Sequence, residues 1–262
     1  MKSSDKPNII KAYDLYLKAN DVSNQMTRAS KSGKNMSASS AGLCAKKQWY
    51  DKNHPKLREP FSDQTLRIFQ IGNLVGDDFD KAMDMNLLDF PSKYAEEYVS
   101  NDDYNLGGSF DLFIVKDSKG YLYDYKTANS WSWSKQFGKR RPLDSTSGDQ
   151  YRFQLGTYAW LLNQDKYKEK YGHDEIAYMA LIGYNKNDSK INEVEVSLNF
   201  IDFAERYWKE AKVIVESKQE PQESKTVPFN EWECGKYCAY NKVCDNPNNP
   251  NYKGEENETK KS

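Results

Sequence analysis

Between Ser62 and Met85 the apolar residues Leu66, Phe69, Ile71, Leu74, Val75, Phe79 and Ala82 recur at roughly helical spacing. This predicts a helix with one apolar face, on which Gly72 and Gly76 permit close approach. The period then shortens. The runs "EEYVS" (96–100), "SFDLFIV" (109–115) and "YLYDYK" (121–126) read as strands, and the turn signal "KDSKG" joins the last two into a hairpin. A strongly apolar helix follows at about 149–162, then the strand "IAYMALIGY" (176–184), a strand at about 191–197 and an amphipathic helix over 199–216. With a short helix at about 8–20, this order predicts an α/β fold, a mixed sheet with helices on its faces.

The polar stretches set the boundaries. Residues 21–40, "DVSNQMTRASKSGKNMSASS", are Ser-rich and read as a flexible segment, and the last residues have almost nothing apolar to bury. The expected organisation is an N-terminal helix and flexible segment over 1–36, one folded domain over 37–246 and a disordered tail over 247–262. A length of 262 residues without an obvious central linker fits a single large domain.

Composition changes this picture little. Lysine and arginine number 38 against 39 aspartates and glutamates, so any basic surface for a nucleic acid must be local. No apolar run approaches a membrane span and "MKSSDKPNIIKAYD" lacks the apolar core of a signal peptide, which points to the cytoplasm and to no membrane partner. Four cysteines in a reducing compartment make two structural disulfides an unfavoured reading and direct attention to metal binding.

The chemistry concentrates in the hairpin. In a strand, Asp124 and Lys126 share a face with Leu122, while Tyr123 and Tyr125 face the other way. Pairing of the two strands would bring Asp111 to the same end, where two carboxylates could hold Mg²⁺ or Mn²⁺. Such a metal suits phosphodiester hydrolysis, with the lysine orienting water or stabilising developing charge. An ordinary ion pair at a strand edge is the alternative.

"GGSFDLF" followed by "YDYKT" resembles motifs II and III of the PD-(D/E)XK nuclease superfamily, and "QLGTY" (Gln154–Tyr158) looks like the Q-x-x-x-Y motif of its RecB-type branch. The resemblance runs from about Ser37 to Cys244 and implies a restriction-endonuclease-like fold. It also implies a metal-dependent DNA nuclease with Asp111 and Asp124 as metal ligands, Lys126 as the water-orienting residue, and Gln154 and Tyr158 as supporting or DNA-contacting groups. Motif I of that branch supplies a His or Glu, where this chain has Gly76. Asp77 and Asp78 follow, and Asp77 is the preferred substitute.

Cys44 stands before this core and Cys234, Cys238 and Cys244 just after it. The arrangement resembles the iron-sulfur RecB-type nucleases, including the AddB nuclease domain and the CRISPR-associated adaptation nucleases, and implies a 4Fe-4S cluster that staples the chain's ends. Tetrahedral zinc remains an alternative, and the C-x3-C-x5-C spacing departs from the family's C-x2-C-x5-C.

The loop over 129–148 interleaves Trp131, Trp133 and Phe137 with Lys135, Lys139, Arg140 and Arg141. Aromatics beside cations suit single-stranded DNA, and Lys46 and Lys47 offer further phosphate contacts. The combined expectation is an exonuclease on DNA ends or single strands in DNA processing, repair or recombination. Any helicase or recombination partner must come from another chain. The compact form is similar to nucleases of phages and mobile elements. A catalytically inactive DNA-end binding or assembly subunit of the same fold is the rival.

Overall fold

A computed structural model of the chain describes residues 9–32, 36–138, 149–221, 233–234 and 238–244. In chain order, the first half forms α1 (Ile9–Ser32), β1 (Met36–Ser37), α2 (Ala45–Asn53), α3 (Asp63–Asp84), β2 (Ser92–Ala95), β3 (Tyr98–Asn101), β4 (Leu106–Ser109), β5 (Leu112–Lys116) and β6 (Lys119–Ala128). The second half adds α4 (Ser130–Gln136), α5 (Asp149–Leu162), α6 (Asp165–Tyr171), β7 (Glu175–Asn185), β8 (Ile191–Glu195) and α7 (Asn199–Val215). The chain divides into two units, residues 1–34 with 61–89, and residues 35–60 with 90–262.

In the first unit, α1 and α3 pack against each other. Arg67 forks onto Asp14, with Nε to Oδ1 at 2.8 Å and Nη2 to Oδ2 at 2.6 Å, and Lys18 pairs with Asp63 at 2.7 Å. Leu17 and Leu66 are buried. Ser62 caps α3 by accepting the Thr65 N–H at 3.1 Å, which satisfies one of the donors that a helix start leaves open. The expectation of a helix ending near residue 20 is corrected, because α1 continues to Ser32. Its Ser, Asn and Thr residues are weak helix formers, but no Gly or Pro interrupts residues 9–32 before Gly33.

The second unit holds two sheets. The larger has the order β2-β5-β6-β7-β8, with β6 and β7 parallel and the other neighbours antiparallel, while β1-β4-β3 form a smaller mixed sheet. The hairpin of β5 and β6 closes through Asp117 and Ser118, at φ 53° and 58°, between the paired residues Lys116 and Lys119. Two left-handed residues make the turn whose twist matches that of the strands. Two expected strands differ in extent. "EEYVS" begins only at Tyr98, as β3, after Glu96 at φ 53°, and "SFDLFIV" is broken at Phe110 and Asp111, so that Ser109 ends β4 in the smaller sheet while residues 112–115 lie in β5 of the larger.

The main core lies between the large sheet and α5 with α7. Leu155, Ala159, Leu161 and Leu162 meet Trp208 and Ala211 there, all fully buried. Gly156 permits this contact, because a Cβ there would come within 2.2 Å of the Phe200 carbonyl oxygen. The Trp208 indole N–H donates to Thr157 Oγ1 at 2.9 Å.

A smaller apolar cluster of Trp49, Tyr50, Ala239 and Tyr240 joins α2 to the chain's last described segment. The Tyr50 and Tyr240 rings stack at 5.0 Å, and the Tyr240 hydroxyl donates to Asp51 at 2.7 Å. Residues 247–262, expected as a tail, lie outside the described residues.

Candidate active site

Along β6, Leu122 and Asp124 are buried while Tyr121, Tyr123 and Tyr125 are half-buried, the two-residue alternation read from the sequence. Antiparallel pairing sets Leu112 against Tyr123, which brings Asp111, one residue before β5, alongside Asp124. The Tyr125 N–H donates to Asp111 Oδ2 at 2.5 Å and fixes that carboxylate at the strand end. Lys126 forms an ion pair with Asp124. From α5, the Gln154 amide donates to Asp124 Oδ1 at 3.3 Å. Tyr158, one turn further on, is buried against Gly108, where a Cβ would lie 3.2 Å from the phenol oxygen. Asp111, Asp124, Lys126, Gln154 and Tyr158 therefore converge, although they come from the residue before β5, from β6 and from α5.

Burial dominates the electrostatics. It pushes the Asp124 carboxyl up to about 7, against the pull of Lys126 and with the help of Asp111. Asp111 is also raised by burial, opposed by Lys126 and the Tyr125 N–H. Burial works against the Lys126 charge, but the two carboxylates, Asp124 first, outweigh it and hold the ammonium above its ordinary range. The Tyr158 phenol is raised well above its ordinary value by burial, then by Asp124 and Asp111, so it stays a neutral donor.

Three contributors escaped the sequence reading. Tyr151 places its ring 5.3 Å from Lys126 Nζ, Gly108 makes room for Tyr158, and exposed Glu96 adds negative potential at Asp124 and Tyr158. All three depend on how α5 and the strand ends meet, and only the "GG" of "GGSFDLF" hinted at them.

Among the described residues, no three His, Cys, Asp or Glu side chains are grouped as a protein-built metal site requires. The Asp111 and Asp124 carboxylates nevertheless suit a hard divalent cation of the Mg²⁺ type, which takes one or two carboxylates and completes its shell with water and phosphate oxygens. Asp77 and Asp78 are both exposed on α3, in the first unit.

None of the four cysteines forms a disulfide. Cys44 caps the start of α2, and its N–H donates to Glu233 Oε2 at 3.2 Å. Burial pushes the Cys234 thiol up to about 12, with further contributions from Cys44, Cys238, Cys244 and Glu233. Lys46 and Lys47 are corrected as phosphate contacts. Lys46 is fully buried and pairs with Glu220 at 2.9 Å, and Lys47 pairs with Glu233 at 3.1 Å.

Part of the aromatic loop is the helix α4. Trp133 is half-buried and donates its indole N–H to the Gly183 carbonyl at 3.2 Å, and Phe137 is fully buried. Trp131 alone of these three aromatics is exposed. Lys139, Arg140 and Arg141 lie outside the described residues.

A family model described as the PD-(D/E)XK nuclease superfamily matches residues 22–245. Among solved structures, the chain resembles the protein SSO0001 at 15% identity, over 82% of this chain and 86% of that one, with a TM-score of 0.49. It also resembles a candidate exonuclease from Eubacterium rectale at 12% identity, over 69% of this chain and 80% of that one, with a TM-score of 0.45. A comparison with curated proteins gives no match.

Proposed function

We propose, on the premise that the chain belongs to the PD-(D/E)XK nuclease superfamily, that it is a Mg²⁺- or Mn²⁺-dependent deoxyribonuclease. It would act as an exonuclease on DNA ends or single strands. The observation that carries this reading is the convergence of Asp111, Asp124, Lys126 and Gln154 on one buried site. Bound Mg²⁺ or Mn²⁺ would supply a Lewis acid for the phosphate and lower the pKa of an attacking water.

Asp111 and Asp124 are the residues that would hold the ion. Gln154 fixes the Asp124 carboxylate. Lys126, held protonated by its two carboxylates, serves as a donor that orients the water and stabilises charge on the phosphate, not as a base. Tyr158 remains a neutral donor for a phosphate or for the site itself. Asp77 is the proposed substitute for the motif I residue, with Asp78 next to it.

The RecB-type resemblance extends the proposal to a 4Fe-4S cluster on Cys44, Cys234, Cys238 and Cys244, with zinc as the alternative. What supports it is the placement of one cysteine before the nuclease core and three just after it. Anaerobic purification decides it: a coloured protein containing iron and sulfide is expected, and a colourless one containing zinc would refute the cluster. The proposed setting is cytoplasmic DNA processing, repair or recombination, with any helicase supplied by another chain. Among the described residues, no helix is long and apolar enough to cross a membrane.

Gly76, in the place of a motif I His or Glu, favours a second reading, an inactive DNA-end binding or assembly subunit. Digestion of end-labelled single- and double-stranded DNA with Mg²⁺ or Mn²⁺ separates the two. The nuclease reading expects cleavage by the wild type that EDTA and Lys126→Ala abolish. Intact DNA under every condition, or equal cutting by Lys126→Ala, would sink it.

A further inference from the structure

Trp49 and Trp208 are buried, and Trp133 and Trp160 are half-buried, whereas Trp131 is 68% exposed. Singly exposed apolar residues are common, so what distinguishes Trp131 is its surroundings. Lys135, one turn along α4, places Nζ 3.7 Å from the Trp131 ring centroid. A cation over an aromatic face both orients the ring and adds a positive charge beside it.

The helix beneath the pair is firmly anchored. Asn129 caps it by accepting the Ser132 N–H at 2.9 Å, and the Ser130 N–H donates to Asn187 Oδ1 at 2.8 Å. Phe137 is buried at its other end and fills the space over Gly183, where a Cβ would meet the ring at 2.2 Å. A ligand that stacks on Trp131 therefore need not order the backbone first.

Position gives the pair its meaning. Trp131 follows Lys126 by five residues along the same chain, so the two Cα atoms are at most about 18 Å apart. A strand of nucleic acid with a phosphate at Lys126 would bring a base a few nucleotides away to Trp131.

We propose that Trp131, backed by Lys135, is a base-stacking platform that makes the site prefer single-stranded DNA; the proposal rests on the nuclease reading above. Within a duplex both faces of every base but those of the terminal pairs are already stacked, whereas the bases of a single strand offer a free face to an aromatic ring. The Lys135 ammonium is placed to neutralise an adjoining phosphate.

The test is fluorescence anisotropy with a labelled oligothymidine and a labelled blunt duplex, in EDTA so that neither is cut, alongside thermal unfolding of each variant. Trp131→Ala is expected to weaken oligothymidine binding about 10-fold or more, the scale of one lost stacking contact. Trp131→Phe should recover most of the loss, and duplex binding should hardly change. Unaltered oligothymidine binding by Trp131→Ala, or an equal loss on the duplex, would overturn the platform. If the wild type digests DNA and yet Trp131→Ala binds oligothymidine normally, this inference falls alone; if the wild type neither binds nor cuts DNA, both readings fall.

Discussion

At the scale of single residues, the site places two carboxylates and one ammonium where water hardly reaches. Asp124 is fully buried, and its carboxyl is pushed up to about 7 mainly by that burial. A divalent cation that joins both carboxylates would repay this desolvation and stabilise the fold by mass action, by about 2.7 kcal/mol at 100 times its Kd. Mn²⁺ should therefore raise the melting temperature of the wild type, whereas Asp124→Asn should melt at the same temperature with and without Mn²⁺. Calorimetry in EDTA and in Mn²⁺ measures the difference; an equal rise in both proteins would remove Asp124 from the ion. The residues involved were readable in advance because their spacing is local. Asp124 and Lys126 share a strand face, and Gln154 and Tyr158 share a helix face. Tyr151 and Gly108 were not readable, since their parts depend on where α5 rests over the strands.

His173 belongs to the same scale, away from the site. It is buried with its ring 5.0 Å from Phe113, and burial, with Lys168 adding, holds its pKa below the ordinary value of 6.5. The unfolded chain thus binds a proton more readily than the folded one. Stability linked to this residue is present above about pH 6.5 and declines as pH falls below it. Urea midpoints at a series of pH values should fall more steeply below that point in the wild type than in His173→Leu. Parallel curves would show that the histidine does not drive the slope.

At the scale of elements, periodicity located α3, α5, α7 and the hairpin, but not the breaks between sheets. β2 was not located at all, because "SKYA" is short and only half-buried, and the left-handed residue at Glu96 that separates it from β3 has no signature in the sequence period. The helix α2 was also missed, because nine residues with four charges and two aromatics carry too short a pattern. Gly76 offers the sharpest test here. It lies inside α3, yet a Cβ there would meet nothing within 4 Å, so packing does not require a glycine. Gly76→Ala should stabilise the protein by about 0.5–1 kcal/mol, the usual helical penalty of glycine. If the position is that of motif I, Gly76→Glu should also raise the cleavage rate with Mn²⁺. A Gly76→Glu protein that melts higher but cuts no faster would separate the helix effect from the catalytic one and leave Asp77 as the residue to test.

For the molecule as a whole, the cysteine spacing suggested that the chain's two ends are joined, and a second, metal-independent clasp is built around the same place. The Cys44 N–H and the Lys47 ammonium both reach Glu233, Tyr50 stacks on Tyr240, and the Glu59 N–H donates to the Ala239 carbonyl. No local pattern could reveal these contacts, since Cys44 and Glu233 are 189 residues apart. The Glu233 side chain is 4% exposed and that of Lys47 19%, so losing the carboxylate strands a largely desolvated ammonium. Glu233→Ala should cost about 2–4 kcal/mol, read from chemical unfolding. Glu233→Gln, which can still accept from Cys44, should cost less. The clasp and the proposed cluster then predict different outcomes for the variant with all four cysteines changed to serine. If the aromatic and ionic contacts suffice, it keeps native circular dichroism and melts cooperatively at a lower temperature. If the cluster alone holds the ends, it loses cooperative melting altogether, and Glu233→Ala loaded with iron should be almost as stable as the wild type.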